Sequence, residues 1–120
     1  MSTEQAVDTA ALDSWLAEHL FGWTHLHFTG PAELQRIGLS PTDDEYEPLP
    51  AYSTTGDGML MVLEAMQERG WFVTLTDYAL PRWWEVEFLP DPLKPGEVVL
   101  GKAPVLPTAV SLAAKAALEA

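Results

Sequence analysis

Residues 71–88 read WFVTLTDYALPRWWEVEF and contain the two patterns that decide the fold. In residues 71–76 and again in 83–88, large apolar side chains recur at every second position, which is the period of a β-strand with one buried face. Between them lie Asp77, Tyr78 and Pro81, and a connection that contains proline and aspartate suits a turn. The stretch therefore predicts an antiparallel hairpin.

The alternation also assigns residues to the two faces of this hairpin. On the apolar face, the expected pairs are Trp71 with Phe88, Val73 with Val86, and Leu75 with Trp84. On the opposite face, they are Phe72 with Glu87, Thr74 with Glu85, and Thr76 with Trp83. A slip of one residue would place glutamates on the apolar face, so the assignment of residues to faces is strongly specified.

Helical periodicity predicts three helices, near residues 9–21, 55–69 and 108–119, because apolar residues recur three and four positions apart. Gly22 and Gly70 follow the first two as stop signals. Strand patterns at 23–28 and 97–100 add to the hairpin. The expected fold class is α+β, with a small, mainly antiparallel sheet of about three or four strands layered with about three helices.

Composition limits the class of protein. The chain has 120 residues, with 18 acidic and 6 basic side chains, a net charge of −12 and no cysteine. This length predicts a single domain over residues 1–120, with a flexible start at 1–7 and an irregular, acidic and proline-rich connection at 29–52 that has room for a short helix at 32–37. The charge argues against direct nucleic-acid binding, and the lack of cysteine excludes disulfides and thiolate zinc sites.

Neither an export signal nor a membrane span is visible in the sequence. Residues 1–5 lack the basic start of a signal peptide. No apolar run reaches the roughly 18 residues that a transmembrane helix needs. We therefore expect a cytoplasmic protein without membrane contact.

His25 and His27 lie two residues apart on a predicted strand, so both rings should project from one face. With His19 or a carboxylate as a further ligand, they are candidates for a zinc site. Two amphipathic rings on a half-exposed strand explain the pattern equally simply, and no third ligand is specified by spacing. We predict no metal and no cofactor, and keep His25 and His27 as the candidates to check.

Two further polar clusters have a structural and a functional interpretation. Glu85 and Glu87 share a strand face and could form a general acid–base pair, but a solvated strand face is the simpler account. Residues 52–58, YSTTGDG, begin the second helix and could hold an anion. They match neither phosphate-binding fingerprint, so helix capping is the better interpretation. We predict no catalytic residues and hence no enzyme.

Trp83 differs from most of the tryptophans because it falls on the hairpin face that carries Glu85 and Glu87. Phe72 falls on the same face. Large aromatic side chains on a polar face are typical of contact surfaces. Trp83 and Phe72 are therefore the predicted interface residues.

Several stretches, taken in order over residues 12–118, resemble the phage ABA sandwich domain family. They are the opening helix at Leu12–Trp23 with its Met-Gly-Trp-like end, the "YST" segment at Pro50–Thr54, the hairpin residues Gly70, Trp71 and Trp84–Phe88, and an alanine-rich final helix at Pro107–Leu118. Family members usually have Asp-Ile after Ser-Thr, where this chain has Thr55–Gly58. The resemblance implies a small sheet layered with helices and a phage or prophage origin. It carries over no catalytic residues.

Together these observations predict a non-enzymatic phage or prophage accessory protein that acts inside the bacterial host by binding a protein or ligand. The expected partner is a second copy of the chain or a host or phage protein. Two alternatives stay open. One is an antagonist of host defence that sequesters a nucleotide or imitates DNA with its acidic surface. The other is a metal-dependent enzyme that uses His25 and His27.

Overall fold

The computed structural model describes residues 8–29, 35–41, 45–78, 83–90 and 98–119. The elements in this part of the chain are, in order, α1 (Thr9–His19), β1 (Thr24–Thr29), β2 (Gln35–Leu39), β3 (Tyr46–Pro48), α2 (Gly56–Glu68), β4 (Phe72–Tyr78), β5 (Trp83–Leu89), β6 (Val99–Ala103) and α3 (Leu106–Glu119). The strands form two three-stranded antiparallel sheets, sheet A with the order β1-β2-β3 and sheet B with the order β4-β5-β6. The predicted α+β class is confirmed.

The first two helices end where glycine can adopt a backbone conformation that other residues avoid. Gly22 has φ of +76° and Gly70 has φ of +91°, both in the left-handed region. At the other end of each helix, a side chain accepts a hydrogen bond from a free backbone N–H: Asp8 from Ala11 in α1, and Thr55 from Gly58 in α2, both at 3.0 Å. These local signals explain why the predicted helices are present.

Sheet B is covered on one face by α3, and a glycine sets the distance between them. A Cβ atom on Gly101 would lie 2.4 Å from the backbone nitrogen of Ala113 and 2.5 Å from the carbonyl oxygen of Ala109. Only a residue without a side chain fits there, and the alanines of α3 permit the close approach. Val86, which pairs with Gly101, is fully buried beneath the helix.

One hydrophobic core joins the three helices to the covered face of sheet B. Its largest fully buried apolar side chains are Tyr52, Phe88, Leu16, Met66, Val62, Val86 and Val110. Trp23, just before β1, is also buried and connects sheet A to the same core. Burial of side chains this size stabilises a fold by about 1.5–3 kcal/mol each, so the core is the main source of stability.

The hairpin of β4 and β5 has the predicted faces but a different register. Val73 pairs with Phe88 and Leu75 with Val86, so the pairing is displaced by two residues from the predicted one. A displacement of two residues keeps every side chain on its predicted face. The pairing continues to Tyr78 and Trp83. Asp77 and Tyr78, which the sequence assigned to the turn, belong to β4 instead.

Two strands lie in the segment 29–52, which the sequence predicted to be irregular. Strand β2 pairs with both β1 and β3, and its first residues replace the short helix expected at 32–37; residues 32–34 and 1–7 are outside the described residues. A Cβ atom on Gly38 of β2 would overlap the end of the Leu26 side chain and lie 3.3 Å from the Trp23 ring, so a larger residue would require Leu26 to move. Strands β2 and β3 depend on contacts with residues far away in the chain, so the local sequence pattern does not predict them.

Candidate interaction surface

The face of sheet B that points away from α3 is here called the outer face. Three of its apolar side chains are about half exposed, namely Phe72 at 50%, Tyr78 at 48% and Leu100 at 46%. The described helices leave these side chains open to solvent. The outer face consists of Phe72, Thr74, Thr76, Tyr78, Trp83, Glu85, Glu87, Leu89, Leu100 and Lys102.

The two predicted interface residues lie at opposite ends of the outer face. Trp83 pairs with Tyr78 at one end, and Phe72 pairs with Leu89 at the other. At about 3.3 Å per residue the two ends are about 20 Å apart. The predicted register, with Trp83 opposite Thr76, places Trp83 and Phe72 about 13 Å apart, so the shift of two residues moves them farther from each other. Trp83 is half-buried, whereas Phe72 is exposed. The outer face thus has an apolar patch at each end.

Glu85 occupies the centre of the outer face and is held there by its neighbours. The Tyr78 hydroxyl donates a 2.7 Å hydrogen bond to Glu85 Oε2, and Lys102 Nζ lies 4.0 Å from Oε1. The Glu85 side chain is only 13% exposed, so it is more enclosed than a solvated strand face predicts. The hydrogen bond to Glu85 and its negative charge raise the pKa of the Tyr78 hydroxyl.

The prediction that His25 and His27 project from one face is wrong. Thr24 pairs with Leu39 and His27 with Ile37, so β1 contains one extra residue in a β-bulge. His25 lies in this bulge with φ of +56°. The bulge reverses the alternation of faces, and the His27 ring packs edge-on against Tyr46 at a centroid distance of 5.0 Å. Both histidines are exposed.

Residues 52–58 cap helix α2, as the capping interpretation predicted, and connect it to α1 and α3. Thr55 is the N-cap, while Ser53 is fully buried and donates to the Asp13 carboxylate. Gly58 lies against the backbone of Ala51 and Tyr52, where a Cβ atom would not fit. The Ser53 and Thr55 side chains are therefore engaged in hydrogen bonds within the protein.

A shallow groove of about 540 Å³ lies between the end of α1 and the outer side of α2. Glu64 and Glu68 contribute carboxylates to its lining, and Phe21 contributes an aromatic ring. Arg69 also lines it, but its guanidinium donates to the carbonyl oxygens of His19 and Leu20 at 3.5 and 3.4 Å. The arginine therefore stabilises the C-terminal end of α1, and the groove is poorly suited to an anionic ligand.

Within the described ranges, no group of three histidine, aspartate or glutamate side chains could hold a metal ion. None of the described helices is both long and apolar enough to cross a membrane.

The fold matches that of a phage protein. A 2.0 Å crystal structure of a phage protein from Bacillus cereus ATCC 14579 superposes with a TM-score of 0.68 at 19% sequence identity, over 97% of each chain. No family model matches the chain, and no curated protein does. The comparison therefore establishes a fold shared with a phage protein.

Proposed function

We propose that this chain is a phage or prophage accessory protein of the phage ABA sandwich family, acting inside the host cell. Two observations support the proposal. The fold is shared with a phage protein over 97% of both chains. In addition, the stretches that resemble the family meet in space, because the "YST" segment is hydrogen-bonded to α1 through Asp13 and to α3 through Thr108.

The proposed action is binding of a partner protein through the outer face of sheet B, without a catalytic step. The observation that carries this proposal is the exposure of Phe72, Tyr78 and Leu100 on a face that the described helices leave open. Apolar side chains exposed together on one surface, with polar groups between them, are typical of protein contact sites.

The chemistry of the outer face indicates what kind of partner fits. Its two ends are apolar, and its centre carries Glu85 and Glu87 with Lys102 beside them. A partner surface with apolar side chains and at least one arginine or lysine would complement this pattern. The net charge of −12 would also accelerate encounter with a basic partner.

A second copy of the chain is a poorer occupant of the outer face. Two outer faces packed against each other would bring the Glu85 and Glu87 carboxylates of both copies into one low-dielectric interface. Like charges in such a position are destabilising, since they lose water without gaining a counter-ion. We therefore assign the outer face to a basic host or phage protein.

The test is affinity capture from phage-infected host cells with the intact protein and two matched variants. Leu100→Glu adds a charge to the outer face, and Leu60→Glu adds the same charge to an exposed position on α2. We expect a discrete basic protein to be retained by the wild type and by Leu60→Glu, and to be reduced at least tenfold with Leu100→Glu and with Trp83→Ala. Equal retention by Leu100→Glu and Leu60→Glu would overturn the proposal.

A further inference from the structure

Strand β4 forms one edge of sheet B and offers an unusually regular backbone for pairing. It is seven residues long and pairs with β5 in an unbroken register. Among the described residues, its backbone has no hydrogen-bond partner other than β5. A free strand edge with this geometry is a template for a further strand.

The other described edge strands carry features that discourage pairing. Strand β6 contains Lys102 and is followed directly by Pro104. Strand β1 is interrupted by the bulge at His25, and β3 has only three residues and ends at Pro48. Strand β4 has no lysine, proline or bulge, and Asp77 is its one charged residue. Of these edges, β4 carries the fewest features that discourage pairing, because Asp77 on its helix-covered face is the only one.

The sequence of β4, FVTLTDY, is nearly symmetric about Leu75. We propose that β4 pairs antiparallel with β4 of a second copy around a two-fold axis at Leu75, so that two copies of sheet B form one continuous six-stranded sheet. The cross-strand pairs would be Leu75 with Leu75, Thr74 with Thr76, Phe72 with Tyr78, and Val73 with Asp77.

Three of these pairs, all except Val73 with Asp77, are favourable for antiparallel strands. An aromatic pair forms at each end of the outer face, and threonines pair beside the centre. Leu75 lies on the same face as the partly buried Val73 and the fully buried Phe88, and is nevertheless 42% exposed. The leucine of the second copy would cover it. The two Asp77 carboxylates would lie about 13 Å apart along the strands, since each pairs with Val73, so like charges do not meet.

The arrangement also explains why association would stop at two copies. After pairing, both β4 edges are used, and the remaining edges of the six-stranded sheet are the two β6 strands with Lys102 and Pro104. The interface is isologous and closed. The outer face of one copy measures about 15 by 20 Å, so it is smaller than the about 800 Å² per partner of a standard interface. A dimer doubles the continuous surface that a partner can contact.

Disulfide trapping tests the axis directly, because the chain has no cysteine of its own. Residues directly opposite in an antiparallel pair have Cα atoms about 4.5–5.5 Å apart, within disulfide range. With oxidised glutathione as the two-electron oxidant, Leu75→Cys should form a covalent dimer at least ten times faster than Asp77→Cys. Equal rates for the two variants would show random collision and overturn the proposed axis.

Light scattering during gel filtration tests the non-covalent dimer. We expect the wild type to be dimeric, while Leu75→Lys and Leu75→Glu are each monomeric because like charges face each other at the axis. An equimolar mixture of Leu75→Lys and Leu75→Glu should form a dimer, because opposite charges then meet at the axis. The control Val105→Lys, at an exposed position, should stay dimeric like the wild type. Circular dichroism checks that all variants are folded. A wild type that stays monomeric up to millimolar concentration overturns the inference. Leu100→Glu should keep the dimer while losing the partner, so the two proposals fail separately.

Discussion

The Ser53 hydroxyl donates a 2.6 Å hydrogen bond to the carboxylate of Asp13, a residue 40 positions earlier in the chain. The same carboxylate oxygen accepts the Ser53 backbone N–H at 2.8 Å. On the other side, Thr108 donates to the Ser53 carbonyl oxygen at 2.7 Å. Through these bonds, a single buried serine connects α1 and α3 to the segment that precedes α2.

We predict that Asp13→Ala destabilises the protein by about 2–3 kcal/mol. It removes the acceptor of the buried Ser53 N–H and leaves the Ser53 hydroxyl with only the longer bond to the Thr9 carbonyl oxygen, at 3.2 Å. Urea denaturation followed by tryptophan fluorescence measures the change. Glu18→Ala is the matched control, since Glu18 is an exposed acidic residue of the same helix. If the free energy of unfolding falls by less than about 0.5 kcal/mol in both variants, the Asp13 carboxylate does not stabilise the contact between α1 and the segment before α2.

Gly101→Ala is expected to destabilise the fold by about 1–3 kcal/mol, because the added Cβ would overlap the backbone of α3 at Ala109 and Ala113. Gly56→Ala supplies the comparison. At Gly56, a Cβ atom would meet nothing within 4 Å, so alanine should be neutral or stabilise by up to about 1 kcal/mol. The melting temperature of Gly101→Ala should therefore fall, while that of Gly56→Ala should stay the same or rise. A Gly101→Ala protein as stable as Gly56→Ala would show that α3 does not pack this closely on β6.

Tyr52 should make stability depend on pH in the alkaline range. Burial raises the pKa of Tyr52 to about 12, the nearby Asp13 charge adds to the shift, and the Trp23 indole lowers it without reaching hydrogen-bonding geometry. The folded state therefore holds the proton more tightly than the unfolded chain, whose tyrosine has a pKa of 10.0. This contribution is complete below pH 10 and is lost as the pH rises to about 12. The loss amounts to at most about 3 kcal/mol at 1.4 kcal/mol per pKa unit.

Replacing the hydroxyl tests this dependence. Tyr52→Phe keeps the ring that stacks on Phe21 at 4.5 Å and removes a hydroxyl that has no partner among the described residues. We expect its neutral-pH stability to equal or exceed that of the wild type, with a smaller fall in urea midpoint between pH 9 and 11. Tyr46→Phe, at an exposed position, should keep the wild-type fall. Parallel pH profiles for Tyr52→Phe and the wild type would contradict the prediction.

The candidate surface illustrates how far residue patterns lead. The alternation in β4 and β5 correctly placed Trp83, Glu85 and Phe72 on one face, because the face of a strand residue depends only on its position in the strand. It placed Trp83 and Phe72 four residues apart along the strands, whereas the observed register places them six residues apart. The register depends on where the turn closes, and Asp77 and Tyr78 belong to the strand.

His25 shows the same limit at a single position. Its spacing from His27 implies a shared face only if β1 is regular. The bulge that separates the two rings arises from the pairing of β1 with β2, a strand within the segment whose prolines and acidic residues predicted irregular structure. No signal near His25 would have indicated it.

The sequence by itself determined the three helices, the hairpin and the two faces of that hairpin. Periodicity, capping residues and stop glycines act within a few residues, so they can be interpreted without the rest of the chain. Only the tertiary structure decided the division into two sheets, the register of β4 on β5, the place of β4 at the end of the β4-β5-β6 strand order and the bond between Ser53 and Asp13. Each of these depends on contacts between residues far apart in the chain, and their free energies arise only once the core has formed.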